Sequence, residues 1–488
     1  MFKQQVVRIA INYSRMILTF LIGLLIIKLL ITEDKELYSV YVLVTMGLGL
    51  GAMFRELLRA SIVPFLSLKG DEGINENYSK SLYYTLQVIS LFLLCSLALY
   101  LLKDLLQISP AYQDSFDAFY WARVTGASVL LLSFPALNVL AYNNQMIRYN
   151  LWFLFERVGE FLSVLLIIPA ELYFDYDQPL LVNAAVFFTW SIFQSAYFIA
   201  IFHKRHSGCL MKPKKYTKQE RSYLFKQLKA NLLLIINMAL YYRATLVLIN
   251  VLFGSSVSVI YGLIVQLVTY IKQVATGLVT GIDSFFAKTY KNKRQSSEAV
   301  KIIENLNMII MLPFSTFVVI VFPFLLEFIT QQKFEMSSHY IHYLFALFMV
   351  GIVIRSLSEH WMGFLSGIGL AYLYTGRIVI IASLVTASVF GIYLLKLEQP
   401  IFWIGVFFIV GMLLSHFLIV PWQYSLKTKT RYISNMYGIL SFSAIYTAMI
   451  IASFYINNTV VSLGVLTVIF SIHAITVWNQ YNKKTVTR

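Results

Sequence analysis

The stretch Met53–Ser61, MFRELLRAS, sets Arg55, Glu56 and Arg59 in about one helical turn of an otherwise apolar run that begins near Leu37. Arg55 and Arg59 are i,i+4 and share a helix face. Guanidinium groups grip phosphate oxygens in bidentate fashion, and a dry surround strengthens the pairing. Other ionisable residues interrupt apolar runs in the same way. They are Arg15, with Arg8 seven residues earlier, Arg243 beyond Asn237 and Tyr241, Lys272, the i,i+4 pair Arg355 and Glu359, and Arg377. Cations outnumber carboxylates in this set, so the chemistry they offer is the binding of an anion. A site for cationic molecules would more naturally carry Asp or Glu. Glu156, Arg157 and Glu160 stand where another apolar run opens, and a structural role is expected of them.

Gln266, Thr269, Gln273, Thr276 and Thr280 recur at spacings of three and four and end at Asp283 and Ser284. On a helix this is one polar stripe, with Lys272 beside it. Hydrogen bonding between helices would use such residues. A wet cavity accounts for the stripe and the lysine together and is the favoured reading. For Arg55 and Arg59 the competing reading is snorkelling to the inner head groups. Gly277 and Gly281, and the GLGLG run at Gly47–Gly51, permit close packing or a bend.

These residues need a scaffold, and the composition names its class. The 488 residues are 59% hydrophobic and 13% charged, with a mean hydropathy of +0.71. Apolar runs of about 20 residues recur from end to end, each long enough to cross a bilayer as a helix. The expectation is an all-α polytopic membrane protein with about fourteen transmembrane helices. The spans centre near Phe20, Thr45, Phe92, Leu130, Val164, Trp190, Leu240, Val268, Phe317, Phe348, Ile381, Phe407, Ile445 and Phe470. The N-terminal run has no small-residue cleavage site and reads as an uncleaved first span.

The loops sort by sign. About twenty Lys and Arg lie in the segments beginning at His203, Lys288 and Lys427 and in the tail NKKTVTR. Loops such as TEDKEL, ELYFDYDQP and KLEQP, on the opposite side, are short and acidic. The basic set is placed in the cytoplasm, and an even span count then puts both termini there. The net charge of +16 is read as topology signal and contact with anionic lipid, with no role in binding nucleic acid. The long basic loop divides the chain into an N-terminal six-helix lobe (1–203), a cytoplasmic linker (204–229), a C-terminal six-helix lobe (230–424) and a final helix pair with a basic tail (425–488).

Several chemistries lack their signatures. There is no G-x-x-x-x-G-K-[ST], no H-E-x-x-H and no G-x-S-x-G. Asp175 and Asp177 form a D-x-D in an external loop, where solvation is the simpler reading. Cys95 and Cys209 lie apart and form no metal-binding pattern. No enzyme activity, cofactor or metal is expected.

The stretch Ile11–Val44, INYSRMILTFLIGLLIIKLLITEDKELYSVYVLV, and the stretch Phe54–Leu66, FRELLRASIVPFL, resemble the opening of the multidrug/oligosaccharidyl-lipid/polysaccharide (MOP) exporter superfamily. Within it, they resemble the Wzx-type polysaccharide (O-antigen) flippases. The resemblance implies two six-helix lobes around a cationic cavity that alternates between faces of the membrane. It implies a polyprenyl-pyrophosphate-linked oligosaccharide as substrate, in a bacterial inner membrane, for polysaccharide synthesis such as that of lipopolysaccharide. Glycosyltransferases and a glycan polymerase of the same pathway are then the partners. Family cavities carry cations on spans one, two, seven or eight, where Arg15, Arg55, Arg59, Arg243 and Lys272 fall here. Gln266, Gln273, Asn237 and Arg377 join them as expected substrate contacts, and Arg355, Glu359 and Asp283 as a coupling or structural set. The alternatives are an ion-coupled multidrug exporter of the same superfamily and a membrane glycan polymerase.

Overall fold

The computed structural model describes residues 2–58, 73–142, 146–174, 178–206, 212–279, 293–330, 338–368, 370–456 and 458–486. Every regular element among them is helical. Hydrocarbon demands this, because a helix satisfies its backbone polar groups within itself. The protein is an all-α polytopic membrane protein. Twelve of the described helices are long and apolar enough to cross a membrane, or up to thirteen if the bent pair Pro110–Leu131 and Phe134–Leu140 is one span. The helix Met146–Leu165 corresponds to the span expected near Val164 and carries Arg148, Glu156, Arg157 and Glu160.

The chain forms two compact units, Met1–Gly262 and Leu263–Arg488. In the first, α1 (Phe2–Glu33) and α2 (Lys35–Leu58) are followed by α3 (Ile74–Tyr100), α4 (Gln113–Leu131), α5 (Phe134–Tyr142), α6 (Met146–Leu165), α7 (Ile167–Phe174) and α8 (Pro179–Arg205). Then come α9 (Lys218–Met238), α10 (Thr245–Phe253) and the start of α11 (Ser255–Val279). Helix α4 packs along α8, and α1 along α6. A Cβ on Gly159 of α6 would overlap the Trp190 ring of α8, so the two helices meet closely there. Gly254 turns the chain between α10 and α11 with φ +92°, a conformation that costs glycine nothing.

Two spans of this unit are irregular. Leu43–Leu48 in α2 winds as a π-helix, and the chain then breaks at Gly49. Ala239–Ala244, between α9 and α10, is also π-helical. The two segments pack together, with a Cβ on Gly47 reaching 3.3 Å from Val247. A π turn frees a carbonyl from the regular ladder, and such turns concentrate at functional sites.

The second unit continues α11 and adds α12 (Lys293–Thr330), α13 (Ser338–Gly367), α14 (Tyr372–Leu394), α15 (Pro400–Met412), a π-helical turn Leu413–Ile419, α16 (Val420–Thr428), α17 (Tyr432–Tyr455) and α18 (Thr459–Val486). Its core is built on α13, where Leu344, Phe345, Met349, Ile352 and Trp361 are fully enclosed. Helix α12 packs along one side of α13, and α15 along another. Large apolar side chains such as Leu94, Ile380, Leu384 and Leu394 point outward, as on helices that face acyl chains.

Candidate functional site

The first unit concentrates charge on α1, α2, α4 and α6. Arg55 of α2 forms an ion pair with Glu156 of α6, whose side chain is 4% exposed. Arg15 of α1, Glu56, Arg157 and Glu160 all act electrostatically on Arg55. Arg15 also lies over the Phe153 ring, 5.6 Å from its centroid. Arg157 pairs with Glu160. Arg123, midway along α4, approaches Glu160 at 4.0 Å and donates through Nη2 to Asn183 Oδ1 at 2.5 Å. Its guanidinium stacks 4.1 Å from the Phe187 centroid. Asn183 passes the chain on, donating to Ser163 Oγ at 3.0 Å. Desolvating so many charges is tolerable because each guanidinium meets a carboxylate, an amide or a ring face.

Arg243 stands differently. It lies in the second π-helical segment and donates to the carbonyl oxygen of Gly49, at the break in α2. Among the described residues it has no carboxylate partner. A guanidinium has five N–H donors in a fixed fork, so one carbonyl leaves most of them for another acceptor. Six residues earlier, Asn237 is buried, and its Oδ1 meets no hydrogen-bond donor among the described residues.

In the second unit, Gln266 is buried and donates to Tyr270 Oη at 2.7 Å. Lys272 is half-buried. Lys272 and Arg355 both act electrostatically on His416, which sits in the π-helical turn with its Nδ1 2.9 Å from Ser358 Oγ. The i,i+4 spacing of Arg355 and Glu359 does not become an ion pair. Arg355 is buried where it also meets the dipole of Tyr374, while Glu359 is half-buried. Arg377 is exposed. Arg59 and Asp283 lie outside the described residues, as do the side chains of Arg8 and Gln273.

A third charged group lies at the basic linker. Lys80 of α3, 3% exposed, reaches Glu76 and Glu220, each at 2.8 Å. Lys214 also pairs with Glu76, and its backbone N–H donates to the Ser79 carbonyl at 3.1 Å. Tyr216 donates to the Lys80 carbonyl at 2.9 Å. Burial, and then Tyr84, push the Tyr216 hydroxyl above its ordinary value and keep it a donor. Thr217 and Glu220 form a capping box that starts α9. The clasp thereby ties the start of α9 to the start of α3.

Sequence reasoning missed Arg123, His416 and the carboxylate Glu304 of α12. Arg123 had a signal: it is the lone cation in the middle of FYWARVTG, an aromatic and apolar stretch. His416 follows Ser415 in an apolar run, and Glu304 lies in the polar stretch KIIENLN, and neither pattern marks a site. Among the described residues, no three His, Cys, Asp or Glu side chains gather to hold a metal ion.

No protein-family model matches the chain, and no curated protein matches it. Solved structures do. One is described as the lipid II flippase MurJ in an inward closed conformation. It aligns at TM-score 0.68 and 12% identity over 98% of this chain and 99% of its own. A MOP superfamily transporter from Pyrococcus furiosus aligns at TM-score 0.59 and 13% identity, over 87% of this chain and 95% of its own. An outward-facing multidrug resistance MATE family transporter aligns at 0.56 and 12%, over 87% and 97%. The chain therefore has the fold of the MOP superfamily transporters, over its whole length in the case of the flippase.

Proposed function

We propose that the chain is a flippase that moves a polyprenyl-pyrophosphate-linked oligosaccharide across a bacterial inner membrane by alternating access. Both termini are cytoplasmic in this reading, and the product serves polysaccharide synthesis such as that of O-antigen. The lobes are 1–203 and 230–424, joined by the linker 204–229, with 425–488 as the final helix pair. Pathway glycosyltransferases supply the lipid-linked substrate, and a glycan polymerase consumes it.

The observation that carries the reading is Arg243. A guanidinium among apolar helices, engaged by one backbone carbonyl, suits an acceptor with several oxygens and negative charge. A pyrophosphate is such an acceptor. Arg15 adds positive potential. Arg55 joins it when the head group competes with Glu156, and Arg59 meets the anion nearer the cytoplasm. Asn237 offers its amide to sugar hydroxyls, and the isoprenoid tail stays in lipid. A charge-assisted hydrogen bond is worth ~1.5–3 kcal/mol.

The test is a deletion strain. It is expected to lose surface polysaccharide and to accumulate lipid-linked precursor on the cytoplasmic side. Arg243→Ala should fail to restore export, and Arg243→Lys should restore it in part. Intact polysaccharide in the deletion strain would refute the reading. Restored export of cationic dyes, with polysaccharide unaffected, would favour the multidrug exporter.

A further inference from the structure

Helices α12 and α13 of the second unit share a buried polar seam that the flippase reading does not use. Glu304 of α12 has a side chain 13% exposed, and His360 of α13 is fully enclosed. Glu304 Oε2 stands 3.6 Å from His360 Nε2. That separation is too long for a hydrogen bond and short enough for strong electrostatic contact. Neither ring nitrogen of His360 has a well-formed hydrogen bond among the described residues; the backbone of Leu357, one turn earlier, is the polar group that reaches the ring. Glu304 and Asn307 are i,i+3, and Ser356 and His360 are i,i+4, so the four side chains share one seam. Asn307 Nδ2 donates to the Ser356 carbonyl at 3.2 Å. Asn307 Oδ1 and Ser356 Oγ are buried with no hydrogen-bond partner among the described residues.

We propose that Glu304 and His360 together bind one exchangeable proton. Without it the pair is a carboxylate beside a neutral imidazole, with a charge of −1. With it the pair is either an acid beside a neutral imidazole or a carboxylate beside an imidazolium, with no net charge in both cases. The proton comes from water and returns to it, and no bond other than O–H or N–H changes. A buried net charge is far costlier than a neutral pair, so uptake draws the two helices together and release loosens them. The imidazole selects a proton over a metal cation, since no further carboxylate, cysteine or histidine completes a metal shell among the described residues. The other groups that act on the pair are Lys301 on α12 and Tyr424 on α16. No charged group of α17 or α18 acts on Glu304 among the described residues.

The seam carries its own reporter. Trp361 is fully buried and its ring lies 4.3 Å from that of His360. The full-length protein, purified in detergent, is titrated by tryptophan emission, with Trp361→Phe subtracted. The account expects a one-proton transition between about pH 5 and 8, the range in which imidazoles change charge. Glu304→Gln and His360→Gln should abolish it while the protein remains monodisperse. If Glu304→Gln does not fold, Glu304→Asp should shift the midpoint by at least half a pH unit. A flat titration in the wild type, an unchanged midpoint in Glu304→Asp, or a transition that persists in Glu304→Gln would overturn the proposal. So would a transition that follows sodium at fixed pH. The measurement needs no transported substrate, so its outcome is separate from that of the flippase reading.

Discussion

The two units handle buried charge in different ways. In the first, arginine meets glutamate: Arg55 with Glu156, and Arg157 and Arg123 with Glu160. In the second, a glutamate stands beside a histidine, Glu304 and His360. Arginine does not deprotonate in proteins, so the first network keeps its charge across the physiological range. A glutamate–histidine pair changes charge by one with each proton. The arginine–glutamate network is thus fixed in charge, whereas the Glu304–His360 pair is the one proposed to take up a proton. The difference also tempers the expectation of a mostly cationic site. The carboxylates Glu56, Glu156 and Glu160 offset much of the arginine charge around Arg55, and among the described residues Arg243 donates to a backbone carbonyl and meets no carboxylate.

Breaking the fixed network should have the largest effect. Arg55→Ala leaves Glu156 buried without its partner, and loss of one member of such a pair costs ~3–5 kcal/mol. The double variant Arg55→Met, Glu156→Leu should recover most of that, as seen by thermal unfolding in detergent. If the double variant is no more stable than the single one, the pair is not the unit of stability. Glu220→Gln, in the linker clasp, should cost ~1–3 kcal/mol and hasten proteolysis near Lys214. Arg123→Lys keeps the charge but loses the planar stack on Phe187 and the fork toward Asn183 and Glu160. A loss of ~1–2 kcal/mol is expected, and no loss would show that α4 needs only a positive charge there. The smallest effect belongs to Lys103 and Asp117, paired at 2.6 Å with each side chain about one-third exposed. Lys103→Ala should leave thermal unfolding close to that of the wild type, and closer still in high salt.

The helices were legible because each needs its apolar residues close together in sequence. Hydropathy and the sign of the loops find them without knowledge of their neighbours. The charged network was not legible to the same degree. Arg55 and Glu156 are 101 positions apart, and no local pattern says which carboxylate an arginine will meet. The spacing of Arg355 and Glu359 did suggest a pair, yet Arg355 is buried within electrostatic reach of Tyr374 and His416, and the i,i+4 preference is weak enough for tertiary packing to outweigh it. The π-helical turns at Leu43–Leu48 and Ala239–Ala244 also escaped notice. GLGLG marked a place for close packing or a bend, but the extra residue per turn has no sequence signature of its own.

The central claim is that the half-buried guanidinium of Arg243 receives a phosphorylated lipid head group. Binding of a polyprenyl pyrophosphate and of the corresponding neutral polyprenol to the purified protein tests it most directly. The account predicts at least tenfold tighter binding of the pyrophosphate, with that margin lost in Arg243→Ala and partly kept in Arg243→Lys. Equal affinity for the two lipids, or an undiminished margin in Arg243→Ala, would contradict it.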